Sequence, residues 1–415
     1  MKITRQQLSR RPWYREHAIQ VSVACVFLSV LVVFLLVSAG IIDDETNPRP
    51  LLQVQAVQQQ ANSNFPSQYP PLSCQEWLRD IPHYRLPLRD YVPEFQDPNH
   101  GKQFTRVTDG YPFFTIALHN EQFDPARWSI VKWGHYYETA LTAAFSAVLN
   151  ETVSSEPVGT TVRVLDVGAN IGYFSLLSAG HHGNIVVDAF EPNRVNAFRI
   201  CQSLQINHWL PNEYEIRRQS RQLSQQSTVN CHPYGIGKDV GKMVFHEVYN
   251  PGAGNFVAQP NDHTLSNSTL PVITLDAFAE SRGWFISSSN TNRPVIALFK
   301  VDVEGYELHV VQGATRLLSS HLIRNIFMEV SARTRSEIHD SRAAVQLIAE
   351  AGYDVYQYGG FRGPKHVVNW SSRDPKNLTD LVIQEVTKKR HPQLNLWWKL
   401  APKNAKATTQ ISKKQ

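Results

Sequence analysis

The chain has 415 residues, 42% of them hydrophobic and 19% charged, with 21 glycines and 24 prolines; this excludes a collagenous or wholly disordered polymer and leaves ample length for a large core. Its formal charge of +5 sits at the two ends: Lys2, Arg5, Arg10, Arg11 and Arg15 against Glu16 put +4 into residues 1–20, five lysines from Lys399 onward add +5, and residues 43–398 are left with −4. Nucleic acid binding by the folded body, which needs a basic face, has no support in this distribution.

Residues 1–20 read as a cytosolic basic tail. Val21 to Ile42 is an uncharged run of 22 residues, about 33 Å as a helix and enough to span a hydrocarbon core of about 30 Å. The basic tail before it and Asp43, Asp44 and Glu45 after it predict an uncleaved type II signal-anchor with the body on the lumenal side. A cleaved signal peptide ending near Val37-Ser38-Ala39 is the alternative, with the same outcome for the body. Residues 43–73, rich in Gln, Pro and Asn from Leu51 to Pro71, read as a stem. Sequons at Asn150, Asn267, Asn369 and Asn377 agree with a glycoprotein of the secretory pathway, with the Golgi as the expected compartment. Outside the membrane run stand Cys74, Cys201 and Cys231, enough for one disulfide, and the sequence does not choose the pair.

Residues 74–160 are expected to be an N-terminal extension packing on the catalytic domain. Trp128 to Leu149 carries a helical stripe in which Trp128, Trp133, Tyr136 and Tyr137 read as a core-facing side. Glu138, in the text GHYYE, reads as an ordinary exposed helix acid, with a place facing a ligand as the alternative. From 161 to 400 strands and helices alternate: strand Val162–Val167, helix Ile171–Ala179, strand Ile185–Phe190, helix Asn193–Asn207, strand Val295–Val301, helix Leu308–Leu318, strand Ile323–Val330, helix Ala344–Ala351, strand Asp354–Tyr358 and a last strand Leu394–Leu400. The pattern predicts an α/β fold with a doubly wound, mostly parallel sheet and an antiparallel last strand. Arg217–Val229 and Glu280–Arg293 read as polar surface insertions, His181-His182 as an exposed loop, and 401–415 as a disordered basic tail.

The strongest signal is VRVLDVGANIGYFSLLSAG, Val162 to Gly180: an apolar strand ends in Asp166, a glycine-bearing turn follows, and a helix begins. Gly168, Asn170 and Gly172 thus lie at the carboxyl end of a strand, where a ligand meets bare backbone. The next strand delivers Glu191, placed to accept from two ribose hydroxyls. The DxGxNxG spacing disfavours the GxGxxG of NAD enzymes, and the lack of a following Gly-Lys-Ser/Thr disfavours a phosphate-binding P-loop. Further on, Lys300, Asp302 and Glu304 share one side of an extended strand, a cluster suited to general base work; a structural ion pair is the plainer reading. No metal site is expected. Glu329 is a weaker candidate, and Arg217, Arg218 and Arg221 read as a solvated loop.

At these residues the chain resembles the class I S-adenosylmethionine-dependent methyltransferases, and more narrowly the FkbM family. Asp166-Val-Gly168-Ala-Asn170-Ile-Gly172 resembles the first motif, Glu191-Pro192 the second, and Leu298 to Glu307 (LFKVDVEGYE) the "LKIDVEGxE" block, with Phe327-Met-Glu329-Val similar to the strand after it. The resemblance implies a Rossmann-like methyltransferase fold. It further implies that Asp166, Gly168, Asn170 and Gly172 surround the methionine part of S-adenosylmethionine and that Glu191 holds its ribose. With the topology it predicts O-methylation of a glycan or other hydroxyl acceptor in the lumen, with Asp302 or Glu304 as base. A lumenal glycosyltransferase and a non-enzymatic scaffold are the rival readings.

Overall fold

The computed structural model describes residues 74, 104–107, 112–118, 130, 138–181, 183–207, 209, 227–248, 264–285, 294–357, 368–370, 374–390 and 392–401. The expected basic tail, membrane run, stem and terminal tail lie outside these residues, as do Trp128, Trp133, Tyr136, Tyr137, His182, Arg217, Arg218 and Arg221. Among the described residues no helix is long and apolar enough to cross a membrane.

In chain order the elements are β1 (Phe104–Val107), β2 (Phe114–Ala117), α1 (Thr139–Ser155), β3 (Val162–Val167), α2 (Tyr173–Ala179), β4 (Ile185–Phe190), α3 (Arg194–Ile206), β5 (Thr228–His232), β6 (Gly235–Ile236), β7 (Gly241–Val248), β8 (Thr264–Ile273), α4 (Leu275–Ser281), β9 (Val295–Val301), α5 (Glu307–Gln312), α6 (Thr315–Ser319), β10 (Ile323–Ser331), α7 (Arg335–Glu350), β11 (Tyr353–Gln357), β12 (Val368–Trp370), α8 (Pro375–Thr387) and β13 (Gln393–Leu400). The main sheet has the order β12-β11-β13-β10-β9-β3-β4-β5. Its strands β5, β4, β3, β9 and β10 run parallel, whereas β13 lies antiparallel between β10 and β11. The chain winds outward from β3 to β5 and then returns to β9 on the other side. This places the switch point, where open α/β sheets bind ligands, between β3 and β9.

Alternation along the buried strands explains two cores. Val162, Val164 and Val187 face Phe145, Phe174 and Leu176 on one side, while Leu165, Val167, Phe299 and Val301 face Val310, Leu317 and Ile348 on the other. Each fully buried aliphatic or aromatic side chain of this kind contributes about 1.5–3 kcal/mol. Helix starts are marked by their caps: Thr334 accepts from Glu337 N at 3.1 Å, and Glu337 reaches back to Arg333 N at 2.8 Å. Asp374 accepts from Lys376 N at 3.0 Å with Pro375 in the first turn.

The predicted strands at 162, 185, 295, 323 and 394 are present within two residues, but three expectations change. The single helix expected over Leu308–Leu318 is two, because Gly313 sits where a Cβ would lie 2.0 Å from the Gly237 carbonyl oxygen, and the chain kinks to let these backbones touch. Thr228 and Val229 belong to β5 rather than to a surface insertion; β5 is a short edge strand whose polar text hides it. His181 is buried, 4% exposed, with its Nε2 3.3 Å from Ser146 Oγ, because the loop after α2 folds inward under α1. The antiparallel β7–β8 pair, with β6 parallel to β8, forms a second small sheet that the sequence reading did not contain.

A clamp holds α3. Asn207, just past its end, bonds both backbone groups of Thr115, at 2.8 and 2.6 Å, and Ser203 Oγ takes Ala117 N at 2.9 Å, so side chains on and after the helix satisfy β2's free edge. Cys74 is disulfide-bonded to Cys201 of the same helix. The third thiol, Cys231, is buried and pushed up to about 12, which makes it inert.

Candidate functional site

Two turns meet at the switch point. After β3 the chain passes through positive φ at Gly168 (77°), Asn170 (52°) and Gly172 (86°) before α2 begins. A Cβ on Gly168 would lie 1.8 Å from the Asp302 carbonyl oxygen, and one on Gly172 would lie 2.8 Å from Ile200 Cγ1. Protein fills the space that both missing side chains leave, so what this turn offers a ligand is its backbone. Glu191, at the end of β4, fastens the turn: one carboxylate oxygen accepts from Asn170 N at 2.7 Å and the other from Asn193 N at 2.8 Å. Burial pushes this carboxyl up to about 7 despite those bonds.

Asp166 is fully buried on the α2 face of β3. Its Oδ2 accepts from Ser175 Oγ at 2.6 Å, while Oδ1 has no hydrogen-bond partner among the described residues and lies 3.9 Å from Lys300 Nζ. Lys300 joins the two turns. It is 4% exposed, donates to Asp302 Oδ2 at 3.0 Å and lies over the Phe174 ring at 5.2 Å. Burial alone would lower it, but the Asp302 and Asp166 carboxylates override this and hold the ammonium above the usual lysine range.

β9 ends at Val301, so the two-residue alternation expected to align Lys300, Asp302 and Glu304 stops there. Lys300 and Asp302 are brought together by their bond, whereas Glu304 (φ 53°) and Gly305 (φ 99°) turn the chain outward and leave Glu304 exposed. The loop is closed by Glu307, whose Oε1 accepts from Val303 N and Gly305 N, each at 3.1 Å. Protein around Glu304, then the charges of Asp302 and Glu307, push its carboxyl up to about 7. Glu329 on β10 joins the same acidic group, pushed up to about 8 by burial first and by Asp302 next.

Glu138 departs from the reading as an exposed helix acid. It is the N-cap of α1 with φ 45° and makes no side-chain cap bond. Burial, then Asp302 and Glu304, push its carboxyl up to about 7 against the pull of Lys300. Of the four non-glycine residues with positive φ among those described, Glu138, Asn170 and Glu304 stand at this edge, and only His321 is elsewhere. Such backbone costs about 1–3 kcal/mol per residue and collects where function requires it.

The arrangement fits S-adenosylmethionine on its own terms. Among the described residues, Asp166 Oδ1 and Glu138 Oε2 are shielded carboxyl oxygens that accept no hydrogen bond, a donor set with the sign that a cationic ligand needs. Among the described residues no group of three or more His, Cys, Asp or Glu is placed to hold a metal ion.

Compared with solved structures, the chain is similar to methyltransferase FkbM from Methylobacillus flagellatus KT, at 18% identity over 68% of this chain, with a TM-score of 0.28. The chain spans 60% of the length of that structure. A superposition this loose leaves the fold to be read from the strand order itself. No curated protein matches the chain. The family model of the Methyltransferase FkbM domain matches residues 166–355, from the last two residues of β3 to the middle of β11. Over residues 166–355 the chain is similar to the FkbM methyltransferase family.

Proposed function

We propose that the chain is an S-adenosylmethionine-dependent O-methyltransferase of the secretory lumen that acts on a glycan or other hydroxyl acceptor. The observation that carries this reading is the meeting of Glu191, the Asp166–Gly172 turn and the Lys300–Glu304 loop at one switch point, within a methyltransferase-family domain. When bound, S-adenosylmethionine supplies a methyl group activated on a sulfonium sulfur. Glu191 then holds the ribose hydroxyls, and the glycine turn offers its backbone N–H groups to the methionine carboxylate. Lys300 fixes Asp302 by hydrogen bond and keeps the loop against the turn. Asp302 or the outward-turned Glu304 takes the proton from the acceptor hydroxyl; a carboxyl held near neutrality, as Glu304 is, suits that task. The remaining contribution is alignment of the acceptor oxygen.

The lumenal part of the reading rests on the predicted anchor and stem and on the Cys74–Cys201 disulfide, which suits an oxidising compartment. Exposure of the sequon residues Asn150 and Asn377 agrees with it. The purified full chain in detergent should bind S-adenosylmethionine in calorimetry. Glu191→Ala should weaken that binding about tenfold or more, whereas Asp302→Asn should spare binding and remove turnover. An absence of binding heat, together with no methyl transfer to any cell extract, would overturn the proposal.

A further inference from the structure

We infer that Glu138 is the residue that receives the ammonium group of the methyl donor, a role that rests on the donor being S-adenosylmethionine. Glu138 Oε2 is shielded from solvent and accepts no hydrogen bond from the described residues. A buried carboxylate oxygen left this way bears an unpaid desolvation cost until a donor reaches it.

Among the described residues none supplies that donor. Lys300, the buried cation that acts on Glu138, is engaged by Asp302 at 3.0 Å and faces Asp166 at 3.9 Å. The charges that act on Glu138 are Lys300 on β9 and Asp302 and Glu304 in the loop after it. Glu307 and Glu329 press on that same loop, and Arg333 draws on Glu304 but is not among the charges that act on Glu138, where Lys300 alone faces two acids. A cationic ligand that also donates hydrogen bonds resolves both deficits. Within S-adenosylmethionine the sulfonium has no hydrogen to give, and the ammonium has three. The backbone supports the same reading. Glu138 is held at φ 45°, a conformation that costs an L-residue free energy, at the start of a 17-residue helix where its side chain caps nothing. Thr142, one turn on, bonds the Tyr173 hydroxyl of α2 at 3.2 Å, so the helix that bears Glu138 is tied to the helix that follows the glycine turn.

The test compares two ligands on the full chain in detergent: S-adenosylhomocysteine and its deaminated analogue, in which hydrogen replaces the ammonium. Wild type should prefer the first, and Glu138→Gln should shrink the ratio of the two dissociation constants about tenfold while leaving the deaminated analogue's affinity within about twofold. Should Glu138→Gln fail to fold, Glu138→Asp keeps the charge, withdraws it by one methylene and should still narrow the ratio. If the variant weakens both ligands equally, or neither, Glu138 does not meet the ammonium. Unchanged binding with a lower kcat/KM would place it against the acceptor instead and equally overturn the inference. A wild type that binds neither ligand would remove the S-adenosylmethionine reading itself, an outcome separate from the others.

Discussion

The turn after β3 and the loop after β9 are neighbours built from similar backbone, and they differ in how their polar groups are satisfied. Both leave a buried strand, and both use left-handed residues, Gly168, Asn170 and Gly172 in the first and Glu304 and Gly305 in the second. In the first, Glu191 bonds two backbone N–H groups and Asp166 takes the Ser175 hydroxyl, so the turn is close to complete without a ligand. In the second, Glu307 closes the loop, but Glu304 is left exposed and Glu138 Oε2 nearby accepts no hydrogen bond from the described residues. The difference teaches a division of labour: a preorganised backbone cradle on one side and an acidic group poised for a partner on the other.

The comparison breaks most severely at the residue that both sides share. Lys300→Met strips the counter-charge from buried Asp166 and from Asp302 at once, and chemical denaturation should show a loss of about 3–5 kcal/mol. Gly168→Ala attacks the same joint through sterics, since the new methyl meets the Asp302 carbonyl; a loss of about 3 kcal/mol should appear in the same assay, with cofactor binding impaired. The acidic side can be tested by pH alone. Glu138 and Glu304 at about 7, and Glu329 at about 8, lie above the ordinary value of 4.5, so the fold binds more protons than the unfolded chain across that interval. The contribution of these groups, and of Glu191 at about 7, should therefore be fully present below about pH 4.5 and be lost as pH rises to about 8, and Glu329→Gln should flatten the upper part of the thermal-shift curve. The smallest effect is expected at Glu307→Ala, which frees two loop N–H groups near the surface for water; about 1 kcal/mol should be lost, with methyl transfer reduced more than donor binding.

Most of the central sheet was legible because its strands are apolar runs bounded by turn residues, and their order follows from a right-handed α/β winding. Less legible were features made by distant contacts. Gly313 breaks a helix that its own periodicity supports, because the Gly237 backbone needs the room. β5 is polar and short, and it is a strand because β4 pairs with it. At the site, Asp166, Glu191 and the Lys300–Asp302 pair could be picked out from motif and spacing, yet the alternation that linked them to Glu304 ended with the strand. Glu138 could not be weighed from local text, since what distinguishes it from any surface acid is the company of Lys300, Asp302 and Glu304, residues far along the chain.

The bond between Cys74 and Cys201 fixes a timetable. The partners are 127 positions apart, and synthesis delivers Cys74 first, to wait with a free thiol until β3, α2, β4 and most of α3 have followed. Closing a loop of that size removes about 5 kcal/mol of freedom from the unfolded chain on the chain-entropy account. Oxidation thus seals the cradle only after its glycine turn and Glu191 have been made, and a polypeptide emerging where thiols stay reduced would never receive that seal.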